Sequence, residues 1–227
     1  MAQHAPLIVA IDGPSGVGKS SVARRLAERL QVPYLDTGAM YRALGLKVLE
    51  AGVDPSDEAA VERVLAATDV SLRQGEGGTV SVLLDGRPVE ELIRTPEVGQ
   101  AASAVATHPA VRRRMVALQQ RCGRERGGVL EGRDIGTKVF PETPNKFFLD
   151  AEEAVRIDRR YRQLRDRGED VRRQDVEEEV RDRDARDQGR GDSPLRWDPS
   201  YTRVDASELS IDEVVDALAA RIRAPAG

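Results

Sequence analysis

The run Gly13-Pro14-Ser15-Gly16-Val17-Gly18-Lys19-Ser20 constrains this chain more than any other feature, because of what stands on either side of it. It fits the phosphate-loop pattern G-x-x-x-x-G-K-[ST], which carries meaning only between a strand and a helix. Upstream, Leu7 to Asp12 reads LIVAID, a branched apolar run that predicts a buried parallel strand stopped by Gly13. Downstream, Val22, Ala23, Leu26, Ala27 and Leu30 recur at helical spacing until Pro33 blocks continuation. Glycines let backbone N–H groups converge on phosphate oxygens without Cβ clashes, and the helix N-terminus adds partial positive charge. Lys19 then reaches the outer phosphates, while Ser20 offers its hydroxyl to Mg2+, partly through water. A merely tight turn requires neither side chain. Residues Gly13 to Ser21 therefore predict a site for a nucleoside triphosphate.

The rest of the chain continues the alternation of strand and helix. A second strand at Pro33 to Leu35 leads through Asp36, Thr37 and Gly38 into a helix lined by Tyr41, Leu44, Val48 and Leu49. Further strands are predicted at Gly128 to Leu130, at Lys146 to Leu149 with Asp150 as the N-cap of the next helix, and at Thr202 to Asp205. Ser210 and Glu213 form a capping box before the last helix. From Pro109 a helical stripe of Val111, Met115, Leu118 and Cys122 makes the lone cysteine a core residue. The predicted fold is α/β, a P-loop NTPase-type parallel sheet flanked by helices.

Two segments depart from that plan. Val70 and Leu72, then Val80, Val82 and Leu84, alternate with polar residues between Asp69 and Ile93, punctuated by Gly75, Gly77, Gly78 and Asp85-Gly86. Period two with turn residues predicts a small antiparallel β insertion. From Glu152 to Arg190, 12 arginines and 13 acidic residues give near-balanced charge, the mark of solvated helices laced by ion pairs. Gly168 splits this run into a helical hairpin, the shape of a mobile lid over a site.

Composition excludes several classes. No stretch approaches the ~18 apolar residues of a membrane span, and Met1 to Pro6 lacks the basic and apolar parts of a signal peptide, so a cytoplasmic protein without a membrane partner is expected. One cysteine with His4 and His108 cannot build the usual zinc site, so any metal sits on oxygen ligands. A net charge of -4, with no net basic face on the arginine-rich hairpin, argues against a nucleic-acid partner. Nothing points to an obligate oligomer, and a monomer is expected.

A phosphate loop does not distinguish a switch from a kinase. Asn145-Lys146-Phe147-Phe148 has phenylalanine where a guanine-reading N-K-x-D requires aspartate, and D-x-x-G is absent from the sequence, which argues against a GTPase. A phosphoryl acceptor instead needs several cations, because two anionic substrates must meet. Arg42 follows the second strand by one helical turn, and Arg133 and Asp134 follow the strand at Gly128 to Leu130. Arg183, Asp187 and Arg190, spaced four and three apart, continue the apolar face of Val176 and Val180, as a stripe entering a cleft would. For an Arg/Asp pair in so charged a segment, an exposed salt bridge is the competing explanation.

The segments DGPSGVGKSS (12–21), LDTGAMYR (35–42), IRTPEV (93–98), EGRDIGTKVFP (131–141) and RDARDQGR (183–190) together resemble bacterial cytidylate kinases, in order and across nearly the whole chain. Adenylate, thymidylate and shikimate kinases share only the phosphate loop and general plan. The resemblance implies ATP-dependent phosphorylation of CMP and dCMP with Mg2+, the alternative being another small-molecule kinase on the same fold. It implies that Arg42, Arg133 and Arg190 hold the CMP phosphate, that Ser103, Arg112 and Asp134 read cytosine, and that Thr37, Tyr41, Arg183 and Asp187 contact the sugar. Asp36 and Arg94 fall beside these on the acceptor side, and Arg156, Arg159 and Arg160 resemble lid arginines that close on ATP beside Lys19. Glu131 stands where the family often has aspartate, and Trp197 lies in a variable segment. The implied division is a core of 1–36, 100–152 and 190–227, an acceptor-binding part 37–99 with the β insertion at about 69–93, and a lid at about 153–189.

Overall fold

The computed structural model describes residues 6–75 and 80–223. Strand β1 (Ile8–Asp12) runs into helix α1 (Lys19–Leu30), and β2 (Tyr34–Asp36) into α2 (Thr37–Glu50). Helix α3 (Glu58–Ala66) then leads to β3 (Val70–Gln74), β4 (Val80–Leu84) and β5 (Arg87–Pro88). A 3-10 turn at Leu92–Arg94 precedes α4 (Pro96–Val105) and α5 (Pro109–Arg126). The chain returns through β6 (Gly128–Gly132), a π-helical turn (Ile135–Val139), β7 (Lys146–Asp150), α6 (Glu153–Asp166), α7 (Arg173–Gly189), β8 (Thr202–Asp205) and α8 (Ile211–Ala219).

The main sheet is parallel, as predicted, and its strands lie in the order β2-β6-β1-β7-β8. Strand order reverses at β1, so the crevice for ligands opens at the carboxyl ends of β1 and its neighbours. Register brings the motif-bearing ends level: Asp12 stands beside Gly132, and Asp36 beside Glu131. Val9, Ala10 and Ile11 are inaccessible, which is why this strand reads as a continuous apolar run rather than an alternating one.

The β insertion is a separate antiparallel sheet β3-β4-β5, one short strand richer than the alternation alone indicated. Its second turn is Asp85-Gly86 with φ of 50° and 77°, the two positive values of a type I′ hairpin turn. The expected turn glycines Gly77 and Gly78, like His4, lie outside the described residues. The hairpin α6/α7 carries a small core of its own, Ile157, Leu164, Val176 and Val180, and turns at Gly168 with φ of 80°. Cys122 is buried, and the Ser210/Glu213 capping box is present.

Two expectations need correction. Helices α3 and α4 escaped the periodicity reading; Asp57 and Thr95 cap them, accepting from Ala60 N at 3.0 Å and Val98 N at 3.3 Å. Asp150 does not cap α6, whose N-cap is Glu152; Asp150 instead ends β7, accepts from Ala151 N and pairs with Arg203. Among the described residues no helix is long and apolar enough to cross a membrane.

Candidate active site

The phosphate loop is shaped by two close approaches. Gly13 has φ of 153°, and a Cβ there would stand 2.1 Å from the Leu149 carbonyl oxygen. Gly16, with φ of 75°, packs on the first turn of α6, where a Cβ would meet the Arg156 carbonyl oxygen at 2.5 Å. Only glycine fits either place. Lys19 is folded inward, donating to the Pro14 carbonyl at 2.6 Å. Burial, and then the nearby Arg133, pull its ammonium well below the usual lysine value. An ammonium so destabilised gains from any anion brought into the loop.

Beyond Lys19 lies a set of oxygens. Glu131, at the end of β6, is buried and accepts from the Tyr34 hydroxyl at 2.6 Å, with the Ser20 side chain beside it. Burial and the facing Asp36 raise its carboxyl above the ordinary glutamate value. Two carboxylates and a serine hydroxyl beside a phosphate loop are hard oxygen ligands, and a divalent cation there would relieve the repulsion. The donor set thus fits Mg2+.

The opposite wall is cationic. Asp36 caps α2 by accepting from Ala39 N at 3.0 Å and holds Arg42 at 2.6 Å. Thr37 donates to the Glu131 carbonyl at 2.6 Å, fixing α2 on β6. Asp187 lies between Arg133, which donates at 2.6 Å, and Arg190, with which it also pairs. Burial alone would raise the Asp187 carboxyl, but Arg133, Arg190 and Arg183 hold it down at about 2. Arg183 is pulled down to about 10 by burial and by Arg133. The Nε groups of Arg160, Arg183 and Arg190 are buried without partners among the described residues. Those unspent donors point to an anion, since burying an unpaired N–H is costly.

A third group lies deeper. Arg112, only 1% exposed, pairs with Asp134 and stands 6.0 Å over the Tyr41 ring. Burial pushes the Asp134 carboxyl up, and Arg112 draws it back. Ser103 Oγ is buried here with no partner among the described residues. A carboxylate, a guanidinium and a free hydroxyl around an aromatic face can select a flat heterocycle by its hydrogen-bonding edge.

One cleft of about 2060 Å³ joins the three groups and extends to Arg94, Arg159 and Arg160. Arg94 Nε donates to the Glu90 carbonyl at 3.0 Å, and its own carbonyl accepts from Arg167, at the turn between α6 and α7, at 3.3 Å. Arg159 bonds the Ala206 carbonyl at 2.7 Å and Arg160 pairs with Glu179 at 2.9 Å. Arg156 stands apart. Its guanidinium is buried against the Ala151 and Ser15 carbonyls and Asp184, at the root of the α6/α7 hairpin rather than along the cleft. Asp184 also accepts from Ser15 N at 3.3 Å, so α6 and α7 both grip the backbone of Ser15 in the phosphate loop.

Arg183, Asp187 and Arg190 are therefore not an exposed surface ladder, because α7 turns the Val176, Val180, Asp184 and Asp187 face inward. Sequence reading did not anticipate Tyr34, Arg167 or Asp184 here, nor Asp12 beneath the site, whose carboxylate accepts from the Tyr201 hydroxyl. Only Asp12, the sole charge in an otherwise apolar strand, carried a signal that could have found it.

The family described as Cytidylate kinase matches residues 9–224. A cytidylate kinase of Syntrophotalea carbinolica is 44% identical over 212 residues, covering 93% of this chain and 90% of its own. One from Solibacter usitatus is 42% identical over 219 residues, covering 96% and 92%. A crystal structure of an uncharacterized protein from Eubacterium ventriosum, 15% identical, superposes with a TM-score of 0.54 over 94% of this chain and 96% of that one, a likeness of fold.

Proposed function

The chain belongs to the cytidylate kinase family, and on that premise we propose that it transfers the γ-phosphoryl group of ATP to CMP and dCMP. The observation that carries the acceptor assignment is the buried Arg112–Asp134 pair with the unpartnered Ser103 hydroxyl beside Tyr41. Cytosine offers an exocyclic amine donor beside N3 and O2 acceptors. Asp134 accepts from the amine and Arg112 donates to the acceptors, whereas uracil would set a carbonyl against the carboxylate. Thr37 and Tyr41 line the sugar, with Arg183 and Asp187 across from them.

The acceptor phosphate is already an anionic nucleophile, so no protein base is needed. Arg42, Arg133 and Arg190 hold it, with Asp36 fixing Arg42 and Asp187 fixing the other two. Arg94 stands at the mouth on the same side. Gly13 to Ser21 cradle the donor phosphates, and Lys19 stabilises charge on the group in transit. Ser20 and Glu131, with Asp36 behind, would hold Mg2+. When bound, the ion neutralises phosphate oxygens and orients them for in-line displacement. Arg159 and Arg160 close over the donor from the lid at about 153–189 and exclude water. Arg156 belongs to the same lid but acts at its root, through Asp184 and Ser15. The acceptor-binding part is 37–99 and the remainder is core. A cytoplasmic monomer working on free nucleotides fits this chemistry.

The test is ADP release with ATP and Mg2+ against CMP, dCMP, UMP, dTMP, AMP and shikimate at matched concentration. Strong turnover on CMP and dCMP with weak UMP supports the reading. Preference for another acceptor would keep the phosphate-loop argument and overturn the cytosine assignment.

A further inference from the structure

The π-helical turn after β6 starts from Asp134, yet the Asp134 side chain makes no capping bond to it. An aspartate at a helix N-cap ordinarily turns its carboxylate back onto an amide two or three residues on. Here the turn is capped from another strand. Asp12, the last residue of β1, has no exposed surface; its Oδ1 accepts from Ile135 N at 2.9 Å and its Oδ2 from Gly136 N at 2.8 Å. The Tyr201 hydroxyl donates to Oδ2 at 2.8 Å and locks the carboxylate in place. A Cβ on Gly136 would lie 2.8 Å from that hydroxyl, so the three groups close on one another without slack.

This arrangement has a consequence for Asp134. With Ile135 N and Gly136 N already bonded to Asp12, the Asp134 side chain makes no bond to its own turn and pairs with Arg112 instead. We propose that Asp12 is a positioning residue for acceptor-base selection: by capping the turn in trans, it keeps the Asp134 carboxylate out of that turn and on Arg112. The inference rests on the proposed cytosine-reading role of Asp134 and Arg112. Three donors meet one carboxylate, which can accept from all of them. An amide at the same place cannot, because its nitrogen faces a donor. Asp12 also directly precedes Gly13, so the strand end that launches the phosphate loop also sets the aim of the base-reading carboxylate.

The variant is Asp12→Asn, which keeps size and shape but leaves one donor of the turn unmet and open to Asp134. The measurements are kcat/KM for CMP and for UMP, and KM for ATP, in the wild type, Asp12→Asn, Asp134→Ala and the double variant. The CMP:UMP ratio is expected to fall about tenfold or more in Asp12→Asn while KM for ATP moves less than about threefold. In the double variant, Asp134→Ala should add little to that fall, since the two changes disable one device. A folded Asp12→Asn enzyme with the wild-type ratio overturns the proposal, as does a rise in KM for ATP equal to that for CMP, the signature of general loosening. If Asp134→Ala itself leaves the ratio unchanged, the cytosine-reading assignment fails first. Should Asp12→Asn not fold, Tyr201→Phe removes only the bond that locks Oδ2; a fall in the ratio of about threefold with unaltered KM for ATP supports the cap, and a wild-type ratio overturns it.

Discussion

Asp134→Ala tests the buried pair at the base of the cleft through stability as well as selectivity. The side chains of Arg112 and Asp134 are 2% and 8% exposed, so removing the carboxylate strands a guanidinium in the interior. Breaking a buried pair on one side costs about 3–5 kcal/mol, against about 0–1 kcal/mol for an exposed one. For a chain of this size that is a fall in Tm on the order of 6–20 °C. Asp192 and the Tyr41 ring lie near Arg112 and offset part of the loss, which favours the lower end. The assay is urea unfolding of the nucleotide-free protein at pH 7, with Arg112→Met and the double variant in parallel. The double variant should be more stable than Asp134→Ala, because no charge is left unpaired. A single-variant cost under about 1 kcal/mol, or costs that simply add in the double, would refute the claim that the two groups form one buried unit.

Three further outcomes are expected. Lys19→Ala should lower kcat by about 100-fold or more while KM for CMP moves only a few-fold, since the lysine acts on the transferred group; equal effects would contradict its placement. Asp187, held at about 2 against an unfolded value near 3.8, contributes about 2 kcal/mol that is present above pH 4 and lost as pH falls toward 2. Asp187→Asn should shrink the stability difference between neutral and acid pH by that amount, which unfolding at a series of pH values reads directly. Arg156→Ala should destabilise the protein by about 3–5 kcal/mol and raise KM for ATP, because it strands Asp184 on the Ser15 peptide. A large fall in kcat with unchanged stability would instead put the Arg156 guanidinium on the transferred phosphoryl group.

Local grammar made much of the fold legible. LIVAID, the glycine loop and the helix after it could be placed because a parallel strand buried on both faces is apolar throughout, and because Gly13 and Gly16 meet backbone oxygens where no side chain fits. Asp85-Gly86 marked its hairpin for a similar reason, having the residues that tolerate positive φ. Helices α3 and α4 were missed, being short, alanine-rich stretches of nine and ten residues. On the site, the phosphate loop, Arg42, Arg133, Asp134 and the Arg183 to Arg190 stripe could be nominated from strand ends and helical spacing.

Partnership is a different matter. Spacing puts Arg183, Asp187 and Arg190 on one helical face, Arg190 three residues from Asp187, but only the tertiary structure brings Asp187 to Arg133, just past the end of β6. It alone turns Arg156 toward the root of the α6/α7 hairpin while Arg159 and Arg160 face the cleft, although all three belong to one helix. Asp12 and Ile135 are 123 residues apart, and no local rule links them. The sequence by itself determined most of the local backbone conformations, since steric limits and apolar periodicity act between neighbours in the chain. The tertiary structure decided which charge meets which, because electrostatic partners are chosen by burial and distance, and those exist only once the strands lie side by side.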